Sequence, residues 1–146
     1  MSDAPSWTSP TAAERTKILQ TTRTVAVVGV SDNPMRPSHG VASYLIDHTD
    51  YEVWLVNPNL TTLFDRPVYA SLAELPAAPD MVDVFRRHTE LAGVTDEAIA
   101  ARATTLWFQL GLYDEKAATT ATSAGLTVVM DRCLKVEHSA LIGATH

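Results

Sequence analysis

The sequence predicts a single doubly wound α/β domain, in which helices cover both faces of a mainly parallel sheet of five to six strands. Apolar, β-branched runs of strand length recur along the chain, and such runs are typical of strands buried on both faces of a parallel sheet. Segments with helical spacing separate these runs, which indicates successive βαβ units with right-handed crossovers. The length of 146 residues corresponds to one domain with its own core.

The first half of the chain is predicted to form two helices and two strands after a polar leader. The run TVAVVGV at residues 24–30 is the first strand. Ser38 is a candidate N-cap, because apolar residues follow it at helical spacing as far as His48. The other predicted bounds are 1–10 for the leader, 11–22 for the first helix and 52–56 for the second strand.

The second half of the chain alternates strands and helices. The predicted strands are 67–69, 81–85, 105–109 and 126–130, and the predicted helices are 72–75, 89–102 and 114–124. Ser71 is a candidate cap for the brief helix, and Gly125 stands in the position favoured after a helix end. Residues 131–146 are mixed in character and are expected to wrap the sheet. The predicted division of the chain is 1–23 for the leader and first helix, 24–140 for the domain and 141–146 for a tail.

The composition excludes several classes of protein. Asp and Glu total 17 against 11 Lys and Arg, for a formal net charge of −6, whereas a nonspecific nucleic-acid binder needs a basic surface. The hydrophobic fraction of 46% is that of a folded globular domain. No segment approaches ~20 consecutive apolar residues, so no transmembrane helix is expected. We therefore expect a small-molecule partner rather than nucleic acid or a membrane, and pairing into a homodimer is left open.

Cys133 is the one cysteine of the chain, so no internal disulfide can form and a cytoplasmic location is expected. Arg132 and Lys135 lie close to it in sequence, and nearby cations favour the reactive thiolate. The alternative is a small apolar side chain packed under the last strand. Cys133 and His138 lack the second pair of ligands of a typical metal site, so no metal is expected.

Five of the eight arginines are predicted to fall on or near one edge of the sheet. Ligands of doubly wound domains bind outside the carboxyl ends of the strands, and arginine makes bidentate contacts to phosphate groups. Helix N-termini converge on the same edge and also favour anions. We therefore favour an anion site over the alternative that these are ordinary charged loop residues. The five arginines are Arg36, Arg66, Arg86, Arg87 and Arg132.

The turn after the first strand matches none of the familiar fingerprints. Ser31 and Pro34 stand where a G-x-G-x-x-G motif starting at Gly29 requires glycine. Asn57 replaces the acid that holds the ribose of NAD. Asn33 breaks the nucleophile-elbow pattern G-x-S-x-G, and the P-loop motif is absent. No nucleophile–base–acid set is evident, so the chain is more consistent with a binding protein than with an enzyme.

The same turn retains the features that hold a phosphate. Gly29 permits a tight turn, and Pro34 and Pro37 stiffen the loop that follows. The loop can offer a phosphate its backbone N–H groups, the Ser38 hydroxyl and the N-terminus of the next helix. The alternative is an ordinary capped connection between a strand and a helix, and the residues of this turn alone do not decide between the two.

Six motifs occur in a characteristic order along the chain. They are VAVVGVSDNPMRPSHGVASYL (25–45), VWLVNPN (53–59), VYASLAELP (68–76), MVDVFRR (81–87), LWFQLGL (106–112) and GLTVVMDRCLKVEH (125–138). The ordered set closely resembles the small, stand-alone bacterial coenzyme A (CoA)-binding proteins, a family related to the CoA-binding domain of succinyl-CoA synthetase alpha subunits. The resemblance covers about residues 20–140 and implies a Rossmann-like fold with CoA as its ligand.

The resemblance also implies roles for individual residues. The turn after the first strand would meet the CoA phosphates, the end of the second strand would line the adenosine side, and the end of the 81–85 strand would flank the ligand. An N-P-K turn after the second strand is common in the family, whereas the third residue here is Asn59, so a lysine contact is missing or is supplied by Arg66. The residues assigned to the cofactor are Gly29, Val30, Ser31, Arg36, Pro37, Ser38, Asn57, Pro58, Phe85, Arg86 and Arg87.

Four functions compete at this point, one of which is an accessory protein for a larger acyl-CoA enzyme that acts through contacts the sequence does not mark. The leading hypothesis is a protein that binds CoA or an acyl-CoA through phosphate contacts at the carboxyl ends of the strands, with no catalytic activity of its own. The phosphohistidine segment and the partner domain of the synthetase have no counterpart in the sequence, so its ligase reaction is not implied. An NAD(P)-dependent oxidoreductase is compatible with the fold but lacks its motifs. A redox or thiol-protection protein would use Cys133 to form a mixed disulfide with CoA.

Overall fold

A seven-stranded sheet forms the middle layer of the computed structural model, which describes residues 7–145. The strands are β1 (Thr24–Val28), β2 (Glu52–Val56), β3 (Thr62–Leu63), β4 (Arg66–Tyr69), β5 (Met81–Val84), β6 (Thr105–Phe108) and β7 (Thr127–Val129). Their spatial order is β3-β4-β2-β1-β5-β6-β7. Every neighbouring pair is parallel except β3 and β4. Because β2 and β5 flank β1 on opposite sides, the strand order reverses at β1.

Within residues 7–145, five helices cover the sheet, three on one face and two on the other. They are α1 (Ala12–Thr21), α2 (Pro37–His48), α3 (Leu91–Ala100), α4 (Glu115–Ser123) and α5 (Leu134–Leu141). Buried residues of α1, α2 and α5 belong to one core, and those of α3 and α4 belong to the other. Two short 3-10 turns, Leu72–Glu74 and His88–Glu90, complete the structure. Within residues 7–145, no helix combines the length and the hydropathy that crossing a membrane requires.

The alternation of side chains along the strands builds both cores at once. In β1, Val25 and Val27 enter the core under α1, α2 and α5, whereas Ala26 and Val28 enter the core under α3 and α4. All four are at most 1% exposed. A strand that is buried on both faces needs a continuous apolar run rather than an alternating one. The prediction of a doubly wound, mainly parallel α/β domain is therefore confirmed.

The seventh strand is a feature that the sequence did not predict. β3 has two residues and forms a tight hairpin with β4, in which Thr62 pairs with Pro67 and Leu63 with Arg66. The two connecting residues, Phe64 and Asp65, both have positive φ angles, of 54° and 57°. That combination is typical of a type I′ turn. Phe64 is an unusual residue for such a turn, so the local sequence carries no hairpin signal.

Two local predictions are corrected by the structure. Ser38 is not the N-cap of α2, because Arg36 is the N-cap and Pro37 is the first helical residue. Proline is favoured there since the N–H that it lacks has no partner within the helix. Residues 131–146 do more than wrap the sheet, because they form α5, which contacts α1 and α2. Of the predicted leader, residues 1–6 lie outside the described residues.

Candidate functional site

A cavity of about 910 Å³ opens at the carboxyl edge of the sheet, where the strand order reverses. Ten of the eleven residues that the sequence assigned to a cofactor line it, the exception being Val30. The remaining lining residues were not among those assigned to the cofactor, although the thiol-protection alternative places Cys133 against CoA. These are Asn59, Glu90, Gln109, Leu110, Leu112 and Cys133. The predicted residues thus form one side of the cavity, and the ends of β6 and β7 supply much of the other.

Gly29 forms the floor of this cavity at the end of β1. Its φ angle is +84°, and a Cβ atom built on it would lie 1.9 Å from the carbonyl oxygen of Phe85. Gly29 also donates its N–H to the Val56 carbonyl at 2.9 Å. A side chain would collide with backbone and would also be strained by the positive φ angle. Glycine therefore lets the ends of β1 and β5 approach closely beneath the cavity.

The loop after β1 is held in place by its own side chains. The Ser31 hydroxyl accepts the Asn33 N–H at 3.0 Å, and the Asn33 side-chain oxygen accepts the Met35 N–H at 3.0 Å. Arg36 donates its N–H to the Asn33 carbonyl at 3.0 Å. The two bonds to the Ser31 and Asn33 side chains form the short side-chain turns that Ser and Asn favour. Arg36 is therefore presented at the start of α2 by a loop whose shape is already set.

Ser38 joins this loop to α2. The side chain of Ser38 is buried, and its hydroxyl oxygen accepts the Ser31 N–H at 2.9 Å. The Ser31 N–H is therefore used within the protein, although the sequence suggested that backbone N–H groups of this loop face a phosphate. The hydroxyl proton of Ser38 takes no part in that bond. Ser38 and the first turn of α2 can thus join Arg36 in offering polar groups to an anion on this side of the cavity.

Asn57 links the loops that follow β1 and β2. Its side-chain nitrogen donates to the Val30 carbonyl at 2.7 Å, and its side-chain oxygen accepts the Asn59 N–H at 2.8 Å. The Val30 side chain is fully buried in the core beside α2. Val30 is therefore a structural residue that anchors Asn57 and not a cavity residue. Asn57 lines the cavity and fixes the relative position of its two loops.

Three arginines give the cavity a net positive charge. Arg36, Arg86 and Arg87 line it together with a single acid, Glu90, whose carboxylate accepts the Arg87 backbone N–H at 3.3 Å. Within residues 7–145, none of the three arginines forms an ion pair shorter than 4.0 Å. Their guanidinium groups are therefore available to an incoming anion, and Arg is suited to bidentate binding of phosphate.

The other two arginines expected at this edge lie outside the cavity lining. Arg132 pairs with Glu137 at 3.1 Å, and Glu137 also pairs with Arg15 at 2.9 Å. Arg66 belongs to β4 and does not line the cavity. Arg66, which the sequence offered as a replacement for the lysine of the N-P-K turn, is thus placed outside the cavity lining. Asn59 itself occupies that part of the wall.

Gln109 and Cys133 form the wall on the side of β6 and α5. Gln109 is buried, and its side-chain oxygen accepts the Leu134 N–H at 3.0 Å. This bond satisfies one of the four N–H groups that have no partner within the helix. Cys133, the N-cap residue of α5, is half-buried. Gln109 therefore holds the start of α5, and with it Cys133, against the cavity. In the sequence, Gln109 is a polar residue at the end of an apolar strand run. That pattern could have identified it as a candidate site residue.

Asp83 lies in β5 beneath this site and does not line the cavity. It is completely buried between Val27 and Trp107 of the neighbouring strands. Neither carboxylate oxygen has a hydrogen-bond partner among the described residues. Burial raises the pKa of the Asp83 carboxyl well above its usual range, because a low-dielectric environment disfavours the charged form. Burial therefore favours the neutral form of this carboxyl in the folded protein.

The His138 side chain makes a hydrogen bond within the core. It is buried, and its Nδ1 atom lies 2.9 Å from the Tyr44 hydroxyl. Burial lowers the pKa of His138. In the part of the chain that the structure describes, no group of three or more His, Cys, Asp or Glu side chains is placed to hold a metal ion. His138 and Cys133 thus belong to different surroundings, one to the core and one to the cavity wall.

Known proteins resemble this chain over most of its length. The family model described as CoA binding domain matches residues 23–139. The uncharacterized protein YneT of Bacillus subtilis (strain 168) is 40% identical over 131 residues, covering 90% of this chain and 96% of YneT. A hypothetical protein from Pyrococcus horikoshii OT3 has a TM-score of 0.88 at 31% identity, covering 98% of this chain and 100% of its own. Cell-free ID.343 from Thermus thermophilus has a TM-score of 0.85 at 36% identity, covering 91% and 100%. The chain therefore belongs to the CoA binding domain family.

Proposed function

We propose that this protein binds coenzyme A or an acyl-CoA in the cavity at the carboxyl edge of its sheet and catalyses no reaction of its own. The observation that carries the proposal is the convergence of Arg36, Arg86 and Arg87 with the N-terminus of α2 around one cavity. Membership of the CoA binding domain family supports the choice of ligand. The cavity volume of about 910 Å³ lies in the range of small-molecule sites, about 300–1,000 Å³.

The phosphate groups of CoA match the charges of this cavity. CoA carries a diphosphate and a separate phosphate on its ribose, and each can accept charge-assisted hydrogen bonds from arginine. Arg36 and the first turn of α2 meet one phosphate, and Arg86 and Arg87 approach from the end of β5. Asn57 and Pro58 line the adenosine side. The apolar side chains of Leu110 and Leu112 and the thiol of Cys133 remain for the less polar arm that ends in the CoA sulfur.

The lining residues give little support to an enzyme. Among the described residues that line the cavity, the candidates for an acid, base or nucleophile are the Glu90 carboxylate, the Cys133 thiol and the hydroxyls of Ser31 and Ser38. The Glu90 carboxylate is bonded to the backbone N–H of Arg87. A binding role needs neither a base nor a nucleophile, so it accounts for the cavity with fewer assumptions.

Isothermal titration calorimetry tests the proposal directly. CoA, acetyl-CoA, 3′-dephospho-CoA and NADH are titrated separately into the protein at moderate ionic strength. We expect CoA and acetyl-CoA to bind, and dephospho-CoA to bind more weakly because it lacks one phosphate. We expect NADH not to bind, because the Rossmann glycine pattern and the ribose-binding acid are absent. Binding of NADH in preference to CoA would favour the oxidoreductase alternative, and no binding of CoA would refute the proposal.

Thiol protection is a second candidate function, favoured by the position of Cys133 in the cavity wall. In this reaction the Cys133 thiolate attacks CoA disulfide, a protein–CoA disulfide forms and one CoA leaves as its thiolate. Mass spectrometry after exposure to CoA disulfide would show one CoA adduct on the wild type and none on Cys133→Ser. Equal labelling by oxidised glutathione would show that Cys133 is merely reactive, and that result would remove this candidate.

A further inference from the structure

Gln109 carries a hydrogen-bond donor that the protein itself leaves unused. Its side chain is 5% exposed and lines the cavity. Its Oε1 atom accepts the Leu134 N–H at 3.0 Å, and because a backbone N–H can only donate, the remaining atom is the NH2 nitrogen. Within residues 7–145, Nε2 of Gln109 donates no hydrogen bond. Asp83 alone has fully buried side-chain N or O atoms without a partner in that range, so the Gln109 nitrogen is open to the cavity.

The position of this donor is fixed by the backbone around it. Gln109 donates its N–H to the Val84 carbonyl at 3.4 Å, and its own carbonyl accepts the Leu112 N–H at 2.9 Å. The turn closed by this second bond contains Gly111, whose N–H is accepted by the Asp131 carboxylate at 2.7 Å. Together with the bond from Oε1 to the start of α5, these contacts hold the amide in place before a ligand arrives. A group that is already ordered costs less conformational entropy on binding.

The wall beside this donor is largely apolar. The lining residues that adjoin it are Leu110, Leu112 and Cys133, whereas the three arginines of the lining come from the start of α2 and the end of β5. Phosphate groups bind arginine more strongly than they bind an uncharged amide. The acceptor that suits Gln109 Nε2 is therefore a neutral carbonyl oxygen. A ligand that covered this nitrogen without such an oxygen would leave a buried donor unpaired, at a cost in free energy.

The distance along the sheet indicates which carbonyl of CoA reaches this donor. Gly29 and Gln109 follow β1 and β6, which are two strands apart with β5 between them. At about 4.8 Å between strands, the two positions lie about 10 Å apart. In an extended pantetheine arm, at about 3.5 Å for three bonds, the amide carbonyls lie about 6 and 10 Å from the diphosphate and the sulfur about 15 Å. With a phosphate at the start of α2, an amide carbonyl of the arm therefore comes to Gln109, and the sulfur reaches beyond it.

We propose that Gln109 is the residue that recognises the pantetheine arm, through a hydrogen bond from Nε2 to one of its amide carbonyls. The inference rests on the proposed function, because it takes CoA or an acyl-CoA as the ligand. The arginines bind phosphates, which CoA shares with other nucleotides, whereas Gln109 binds a group that those nucleotides lack. Gln109 thus determines specificity for CoA and its thioesters, and it does not contact the acyl group.

Calorimetry with CoA and with adenosine 3′,5′-bisphosphate, which has the adenosine and phosphates but no arm, tests this role. The readout is the dissociation constant of the bisphosphate divided by that of CoA. Gln109→Glu keeps an oxygen for the Leu134 N–H and replaces the donor with an acceptor, so the ratio is expected to fall by about tenfold, the upper range for one hydrogen bond. Asn59→Asp makes the same chemical change elsewhere in the lining. It is expected to weaken both ligands and to leave the ratio unchanged.

Nuclear magnetic resonance of the isotope-labelled wild type reports on the bond itself. The side-chain NH2 signals of Gln109 are expected to shift when CoA binds and to stay in place when the bisphosphate is added. A residue that served only to hold the start of α5 would not show this difference. This measurement decides the question if Gln109→Glu does not fold or if the bisphosphate binds too weakly for calorimetry.

Three results would overturn this role of Gln109. The first is an equal ratio in Gln109→Glu and the wild type. The second is a set of Gln109 side-chain signals that CoA leaves in place, or that the bisphosphate moves as far as CoA does. The third is a loss of affinity for acetyl-CoA in Gln109→Glu with none for CoA, which would place the bond on the thioester. In each case CoA still binds to the wild type and the proposed function stands, whereas a wild type that does not bind CoA would refute both.

Discussion

Replacing Asp83 with asparagine is expected to change the pH dependence of stability more than any other single substitution of an acid. The Asp83 carboxyl is 0% exposed and has no partner among the described residues. Burial therefore raises its pKa in the folded protein, whereas in the unfolded chain the group titrates near about 3.9. Above that pH the unfolded state binds fewer protons than the folded state. The free energy of unfolding must then fall as the pH rises, until the pH reaches the folded-state pKa.

The magnitude follows from proton linkage. Each pH unit within that window lowers the contribution of Asp83 to the free energy of unfolding by about 1.4 kcal/mol. In the Asp83→Asn variant the side chain at this position does not titrate. Its contribution to the free energy of unfolding therefore stays constant over the same window. The difference between the variant and the wild type is therefore expected to grow as the pH rises, by about 1.4 kcal/mol for each pH unit below the folded-state pKa of Asp83. The stability difference at any single pH also includes the effect of the substitution on packing, and this effect does not change with pH.

Urea denaturation at pH 5, 6 and 7 measures this difference. Asp96→Asn is the matched control, because Asp96 is an exposed acid on α3. Its stability curve is expected to run parallel to that of the wild type. If the curves of Asp83→Asn and the wild type are also parallel, Asp83 titrates alike in the folded and unfolded states. The description of a neutral, unpartnered carboxyl in the core would then be wrong.

Three further predictions concern the cavity and the core. Arg36→Ala is expected to weaken CoA binding by about 1.5–3 kcal/mol, the contribution of one charge-assisted hydrogen bond; calorimetry checks this, with Arg66→Ala as the control from outside the cavity lining. Gly29→Ala is expected to destabilise the protein by more than about 2 kcal/mol, because the new Cβ meets backbone at a positive φ angle; thermal denaturation checks this against Gly93→Ala, where the helix has room and a small gain is expected. Because the pKa of His138 is lowered in the folded protein, this side chain binds more protons in the unfolded state than in the folded state below about pH 6.5. The free energy of unfolding is therefore expected to fall as the pH drops through that value. His138→Gln is expected to flatten this part of the curve of stability against pH.

The central sheet could be predicted because its signal is local. Strands such as Thr24–Val28 and Thr105–Phe108 are short apolar runs, and a run of that kind is buried on both faces wherever it stands in a parallel sheet. Thr62–Leu63 carries no such signal, because two residues are too few to show a period. α5 was missed for a related reason. It has eight residues, of which Leu134 and His138 are buried, so its apolar pattern is short. Its N-cap residue makes no side-chain hydrogen bond to the helix, so the start of the helix has no capping signal either.

One side of the site could be predicted and the other could not. Gly29 and Asn57 stand directly after strands, and Arg36 lies in the loop that follows the first strand. In a doubly wound sheet that position alone places them at the binding edge. Gln109 also ends a strand, but its use depends on the N–H of Leu134, 25 residues later. Val30 was misplaced because a residue next to a turn can face either the ligand or the core. Its side chain faces the core, and its carbonyl binds Asn57.

The positive cavity and the negative protein are compatible because charge acts locally. The formal net charge is −6, yet exposed charges farther apart than about 8 Å are largely screened at physiological ionic strength. An anion in the cavity therefore responds to Arg36, Arg86, Arg87 and Glu90 rather than to the whole surface. Arg132 lies outside the cavity lining and is paired with Glu137. The same acidic surplus that argues against binding to a nucleic-acid polymer thus leaves the cavity suited to a small ligand with several phosphates.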